Sequence, residues 1–319
     1  MSAIAAVAWW LLAPALAAEA QQTPRAHRVG ILTGNPVAVE SLKQGLIDLG
    51  HREGHTFVIE QRDVAGRFEV LPRVVEDLVK LPVDVFVVSG SEFVDAVRRA
   101  TGTIPIVFTN VGDPVEQGFV ASYARPGGNV TGVSNMVAEL TAKWLELLKA
   151  VQPGARRVAV LWNPPQPAHR GLLKALESSA VALQLEVQKV SIRSSAELEP
   201  AFAAIRRDRA DALTMLGSVL HFRHLREIVA FTHQARLPAV AWTNVFAESG
   251  GLMSYGVTEG QQYRHAASLV DRILKGAQPA DVPVERPTTF EFVVNLKTSR
   301  ALGLTIPSSL LVRADRVLE

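Results

Sequence analysis

The chain contains no cysteine in 319 residues. That absence excludes a disulfide framework, thiol catalysis, cysteine-ligated zinc and a lipid-modified cysteine anchor. Three phosphate- or nucleophile-handling signatures are missing as well. No GxGxxG follows the first expected strand, and neither GxxxxGK[ST] nor GxSxG occurs. Dinucleotide, nucleoside triphosphate and nucleophile-elbow chemistry therefore lack their usual anchors. Excess charge is scarce: the formal net charge is +2, and the pairs Arg98-Arg99, Arg156-Arg157 and Arg206-Arg207 are dispersed near helix ends and strand starts. A nucleic-acid surface would gather Lys and Arg on one face, so nucleic acid is not an expected partner.

Lys and Arg are also absent from the first twenty residues. What stands there is an apolar stretch, IAAVAWWLLAPALAA at 4–18, interrupted by Pro14 and followed by Ala18-Glu19-Ala20. It is shorter than the roughly 20 residues a membrane-spanning helix needs, and it ends in small residues. The expectation is a cleaved export signal over 1–20, removed before Gln21, and a periplasmic chain that is free rather than tethered. A buried or anchoring helix is the alternative that the missing basic residues leave open. No other segment approaches membrane-spanning length.

The remaining chain lies at the size, roughly 250–300 residues, beyond which one hydrophobic core stops growing, so two lobes are expected. Short β-branched runs alternate with amphipathic helical stretches throughout. His27 to Leu32 reads as a strand, with Val39, Leu42, Leu46 and Leu49 on one face of the next helix. Thr56 to Glu60, Asp84 to Val88 and Ile104 to Phe108 are further strands; DVFVV at 84–88 has the continuous apolar character of a strand covered on both sides. The proline and glycines of ARPGGNVTG at 124–132 mark a turn and a crossover. Beyond it the alternation restarts, with strands at Arg157 to Leu161, Leu185 to Val190, Ala212 to Leu216 and Ala239 to Trp242.

Strands separated by helices pair in parallel through right-handed crossovers. The fold class is therefore α/β, with two doubly wound, Rossmann-like parallel-sheet lobes joined by a multi-strand hinge. Lobe one is assigned 27–131 plus about 250–285, and lobe two 132–249 plus about 286–319.

Open α/β sheets bind ligands beyond the carboxyl ends of their strands, where helix N-termini offer free N–H groups. Small polar residues recur at those ends here: Thr33-Gly34-Asn35, Ser89-Gly90-Ser91, Thr109-Asn110, Asn163, Gly217-Ser218, Thr243-Asn244 and Ser254-Tyr255. Such hydroxyls and N–H groups suit a carboxylate, and Trp162, Trp242, Phe246 and Tyr255 offer apolar surface for a ring. Each Ser or Asn taken singly is equally a good helix cap. Asp113, in Gly112-Asp113-Pro114, either pairs with a ligand ammonium or caps the helical turn starting near Val115; Glu248 and Glu259 are weaker candidates of the same kind. His221 and His224 sit three apart beside an apolar stripe of Phe222, Leu225 and Val229, without the carboxylate of an HExxH, so no metal and no cofactor are expected. His51 and His55 flank a glycine turn and read as solvated.

Several long segments carry a resemblance. TIPIVFTNVGDPVEQGFVAS at 103–122, ARPGGNVTGVSN at 124–135, GGLMSYGV at 250–257, RILKGAQPADVPVE at 272–285 and TTFEFVVNLKTSRALGLTIPSSLL at 288–311 stand in one order. Together they closely resemble the ABC transporter substrate-binding protein family related to the TrpX-type tryptophan/tyrosine binders. The resemblance implies a type I periplasmic-binding-protein fold, no catalysis, and capture of a small solute between the lobes by hinge closure. The solute implied is an amino acid or another carboxylate, an aromatic one favoured. It further implies a monomer that delivers to an inner-membrane permease and its ATPase. The cleft loops of the family correspond to Gly34-Asn35, Ser89-Gly90-Ser91, Asn110 to Asp113, Asn163, Gly217-Ser218 and Thr243-Asn244. Two other readings share the scaffold: a ligand-sensing protein presented to a membrane receptor, and an enzyme acting on small acids.

Overall fold

The computed structural model describes residues 25–33, 35–64, 67–166 and 168–319. The expected export segment at 1–20 and Gly34 lie outside the described residues.

Lobe one is built on a parallel sheet of β1 (His27–Leu32), β2 (Phe57–Arg62), β3 (Val85–Ser89), β4 (Ile106–Val111) and β5 (Val130–Ser134), in the order β2-β1-β3-β4-β5. Helices α1 (Pro36–Asp48), α2 (Leu71–Val79) and α3 (Ser91–Ala100) return the chain between strands. The alternation of β3 explains why the sheet is covered twice. Val85 and Val87 face a core with Leu42 and Leu46 of α1, while Phe86 and Val88 face Leu71, Val75 and Leu78 of α2 and Val94 and Val97 of α3. Strands buried on both faces read as unbroken apolar runs, which is what DVFVV shows.

Lobe two begins with α4 (Val137–Val151), followed by β6 (Arg157–Trp162), α5 (His169–Ala182), β7 (Glu186–Ser191), α6 (Leu198–Arg207), β8 (Ala212–Met215), α7 (Val219–Arg223), α8 (Leu225–Gln234), β9 (Ala239–Ala241) and α9 (Asn244–Glu248). After β10 (Met253–Gly256) the chain crosses back, and α10 (Glu259–Leu274) lays Tyr263, Ala266, Ala267 and Val270 on the α1 face of the first sheet. It then returns to lobe two for β11 (Glu291–Asn295), α11 (Leu296–Leu302), α12 (Ser308–Leu311) and β12 (Arg316–Leu318). The second sheet has the order β12-β11-β10-β9-β8-β6-β7, parallel except where β10 meets β11.

Three differences from the sequence reading arise from pairing between distant segments. Residues 130–132, read as part of a crossover turn, belong to β5, whose N–H and C=O groups are taken up by β4, so the first sheet extends past residue 131. The segment 250–285, assigned whole to lobe one, is divided: β10 pairs with β9 and β11 in the second sheet, and only α10 and the residues up to Val284 pack on lobe one. Helix α10 announces its amphipathic face in sequence, but nothing local states which sheet edge a four-residue strand will join. The apolar stripe of Phe222, Leu225 and Val229 does not run along one helix: the chain is broken at His224, which ends α7 and caps α8.

Three passages of chain join the lobes. Two lie side by side, where Ser134 N–H donates to Glu285 O at 2.9 Å and Glu285 N–H donates to Gly132 O at 2.9 Å. Such short extended links permit rotation of packed lobes with little loss of core contact. His51, read as solvated, has its Nε2 2.8 Å from Asp271 Oδ1, tying the loop after α1 to α10. Among the described residues no helix is long and apolar enough to cross a membrane.

Candidate functional site

The carboxyl edges of the two sheets face each other across a cavity of about 470 Å³. Lobe one contributes Thr33 and Asn35 after β1, Asp63 and Val64 after β2, and Ser89 to Phe93 at the β3–α3 junction. Asn110 and Gly112 come from the end of β4, and Asn135 and Val137 from beyond β5. Lobe two contributes Gln166, Ala168, His169 and Leu172 around the start of α5, Gly217 to Val219 with Phe222 and Arg223 after β8, and Trp242 after β9. The lobes touch: Val219 of α7 packs against the lobe-one core, and Glu116 of lobe one reaches the first turn of α5. A Cβ on Gly171 would stand 3.0 Å from Glu116 Oε1, so the absence of a side chain there admits the carboxylate.

Helices α3 and α5 begin at the cavity without a side-chain cap from the residue before them. Gly90 precedes α3 with φ 97°, and Ala168 precedes α5; neither cap residue supplies a side-chain hydrogen bond. Their first-turn N–H groups have no intrahelical partner, and the helix dipole favours an anion in front of them. Other starts are already occupied. Asn35 Oδ1 accepts from Val37 N–H, and Ser218 Oγ accepts from His221 N–H.

On the lobe-one side a directed chain of hydrogen bonds reaches the cavity. Gln262 of α10, buried, donates from Nε2 to Asn110 Oδ1 at 2.7 Å and accepts Asn110 N–H at 3.0 Å. Asn110 in turn donates from Nδ2 to Ser89 Oγ at 2.9 Å. With one lone pair engaged, Ser89 retains its O–H as a donor, which suits an acceptor on the solute. Asn110 holds φ 55°, a left-handed conformation that Asn tolerates better than most residues.

On the lobe-two side two buried histidines brace the wall. His169 Nδ1 accepts Asn163 N–H at 2.9 Å, and its Nε2 lies 3.0 Å from Gly217 O. Only the neutral ring protonated at Nε2 makes both bonds. Burial pulls its pKa down to about 3. His221 Nδ1 lies 2.7 Å from Leu216 O, and burial lowers its pKa to about 4. The loop 216–218 is thus held from two sides by uncharged imidazoles. Trp242 covers it: a Cβ on Gly217 would lie 3.1 Å from Trp242 Cε2, so glycine lets the ring lie flat on the backbone.

Of the residues singled out from sequence, Thr33, Asn35, Ser89, Gly90, Ser91, Asn110, Gly112, Gly217, Ser218 and Trp242 are brought together around the cavity. The others are placed elsewhere. Asp113 Oδ1 accepts from Val115 N–H and Glu116 N–H, both at 3.0 Å, which is the capping alternative. Thr109 is buried within β4. Asn163 lies behind the wall, bonded to His169. Thr243 caps α9, which starts at Asn244. Tyr255 packs its ring near Phe290 and Phe292, and its carbonyl accepts from Trp144 Nε1. Glu248 pairs with Arg316 on the surface.

Sequence reading passed over Glu92, Phe93, Asn135, Gln166, His169, Leu172 and Arg223, and took Phe222 for core. Glu92 had a usable signal, an acid two residues beyond the Ser-Gly of a strand end. Gln166 and His169 had none, because the Pro164-Pro165 turn that carries them into the cleft has no helical or strand period. Burial pushes the Glu92 carboxyl up, opposed by hydrogen bonds from its own backbone and from Gln166. Arg223 is exposed at the rim. Among the described residues no group of three His, Asp or Glu is placed to hold a metal.

Comparison with known proteins adds the family. The profile described as ABC transporter substrate binding protein matches residues 34–318. A protein named tyrosine-binding protein, from Clostridioides difficile (strain R20291), is 26% identical over 271 residues, covering 84% of this chain and 78% of that one. Among solved structures, an ABC domain in complex with L-Trp from Streptococcus pneumonia shares 23% identity and superposes with a TM-score of 0.85, over 92% of this chain and 100% of that one. A conserved domain protein from Vibrio cholerae O1 biovar El Tor shares 26% identity with the same TM-score and the same coverage.

Proposed function

The chain belongs to the ABC transporter substrate-binding protein family, and from that premise we propose that it is the exported solute receptor of an uptake transporter, binding an aromatic amino acid or related aromatic acid between its lobes. The observation that carries this reading is the cavity itself. Both lobes line it from the carboxyl edges of their sheets, and it combines uncapped helix starts with Phe93, Phe222 and Trp242. A carboxylate at the start of α3 or α5 takes N–H donors, with Ser89 adding a hydroxyl. The aromatic wall removes a ring from water at about 25 cal/mol per Å² of apolar surface. The names of the tyrosine-binding and L-Trp-bound relatives point to the same solute class.

In this reading the lobes rotate about the paired links at 132–134 and 285, trapping the solute, and the loaded monomer presents itself to a permease with its ATPase. The segment 1–20 directs export, so the N-terminus of the periplasmic protein should be Gln21 by mass spectrometry. The test of function is a thermal-shift and calorimetric screen of protein stripped by unfolding and refolding, against aromatic amino acids, aromatic acids and small dicarboxylates. Ligand that binds only the folded state stabilises it by about 2.7 kcal/mol at a hundredfold excess over its dissociation constant. Stabilisation confined to aromatic solutes, with loss of affinity in Ser89→Ala, is the expected outcome. Stabilisation by dicarboxylates alone would overturn the assignment of solute.

A further inference from the structure

One corner of the cavity is rich in acceptors and poor in donors. Gln166, at the β6–α5 connection of lobe two, lies beside Glu92 in the first turn of α3 of lobe one, close enough for its side chain to oppose the rise in the Glu92 pKa that burial causes. Facing an ionised Glu92, which only accepts, the Gln166 amide turns its N–H inward and its oxygen away. Glu92 Oε2 and Gln166 Oε1 are both shut off from solvent and have no hydrogen-bond partner among the described residues. Buried acceptors left this way are destabilising, a charged one more so. Both residues line the cavity, so a solute bound there is placed to supply what the protein leaves out.

We propose that the Glu92–Gln166 corner receives the protonated amine of the solute, making the solute an amino acid rather than a plain aromatic carboxylate. The inference rests on the cavity being the solute site. An ammonium brings three N–H donors and a positive charge, enough to satisfy both orphaned oxygens and to offset the desolvation of Glu92. A hydroxyl brings one donor and no charge. The other charged groups lining the cavity are Asp63 and Arg223, both on its exposed margin. The corner also draws on both lobes, so an amine bound there bridges them. A solute without an amine brings no charge to offset the desolvation of the Glu92 carboxylate.

The test is calorimetric titration of the stripped protein with L-tryptophan and L-tyrosine, each against its deaminated counterpart, indolepropionate and hydroxyphenylpropionate. Wild-type protein is expected to bind an amino acid at least about 30-fold more tightly than its counterpart, the discrimination a desolvated charge pair supports. In Glu92→Gln the amino acid weakens by a similar factor, while the deaminated acid is nearly unchanged. Equal wild-type affinity for both members of a pair, or preference for the deaminated acid, overturns the proposal and leaves the aromatic-solute reading standing. Binding of neither member in either pair overturns both. The wild-type comparison decides the matter even where Glu92→Gln does not fold.

Discussion

The carboxamide of Gln262 grips Asn110 at two points, donating to Oδ1 at 2.7 Å and accepting N–H at 3.0 Å, although 152 residues separate the two in sequence. A helix that crosses back from lobe two thereby fixes a cleft residue of lobe one in a left-handed conformation. Such a conformation costs a non-glycine residue about 1–3 kcal/mol and persists only where its surroundings hold it. Replacing Gln262 by Ala strands a buried N–H and a carbonyl oxygen. Stability should fall by about 1–3 kcal/mol in denaturant titration. Affinity for the best solute should fall about tenfold, because Ser89 loses its orientation. Unchanged affinity would show that Asn110 holds its place without help.

The paired histidines make stability depend on acid. Both have folded pKa values, about 3 for His169 and about 4 for His221, below the ordinary value of 6.5. The unfolded chain therefore binds more protons between those limits. Their contribution is complete above pH 6.5 and is lost as pH falls toward 4 and 3. Between pH 7 and 5 each should cost about 2 kcal/mol. Glu92, with its carboxyl pushed up, works in the opposite sense, favouring the folded state at the acidic end. Denaturant midpoints across this range should fall with acid, and the slope should be shallower in His169→Gln, which keeps a donor for Gly217 O.

Gly217→Ala tests the floor beneath Trp242. Its Cβ would lie 3.1 to 3.3 Å from three atoms of the indole, so the ring must lift into the cavity. The expected result is a stability loss of about 1 kcal/mol, typical of mild overpacking. A weakening of solute binding should exceed it, and a changed Trp emission in the free protein should report the moved ring.

Trp144 separates core from site. It is fully buried in α4 and donates Nε1–H to Tyr255 O at 2.8 Å, away from the cavity. Trp144→Phe should lower stability by about 1–3 kcal/mol through the unpaired carbonyl. Solute affinity, measured well below the unfolding transition, should stay near that of wild type.

Much was legible in the sequence because it is written in neighbouring residues. The alternation of apolar runs and helical faces specified an α/β chain in two lobes, since a strand covered on both sides must be apolar throughout. Ser89-Gly90-Ser91 and Gly217-Ser218 were legible as cleft residues because strand ends in such sheets face one edge. Tertiary structure alone decided the rest. The place of β10 in the second sheet, the meeting of Glu92 with Gln166, and the hold of Gln262 on Asn110 depend on segments brought together only when both sheets and their links have formed. Asp113, Thr243 and Asn163 show the same limit from the other side. The same oxygen or nitrogen serves a helix cap, a histidine or a solute, and only the position of the second partner in space determines which one it meets.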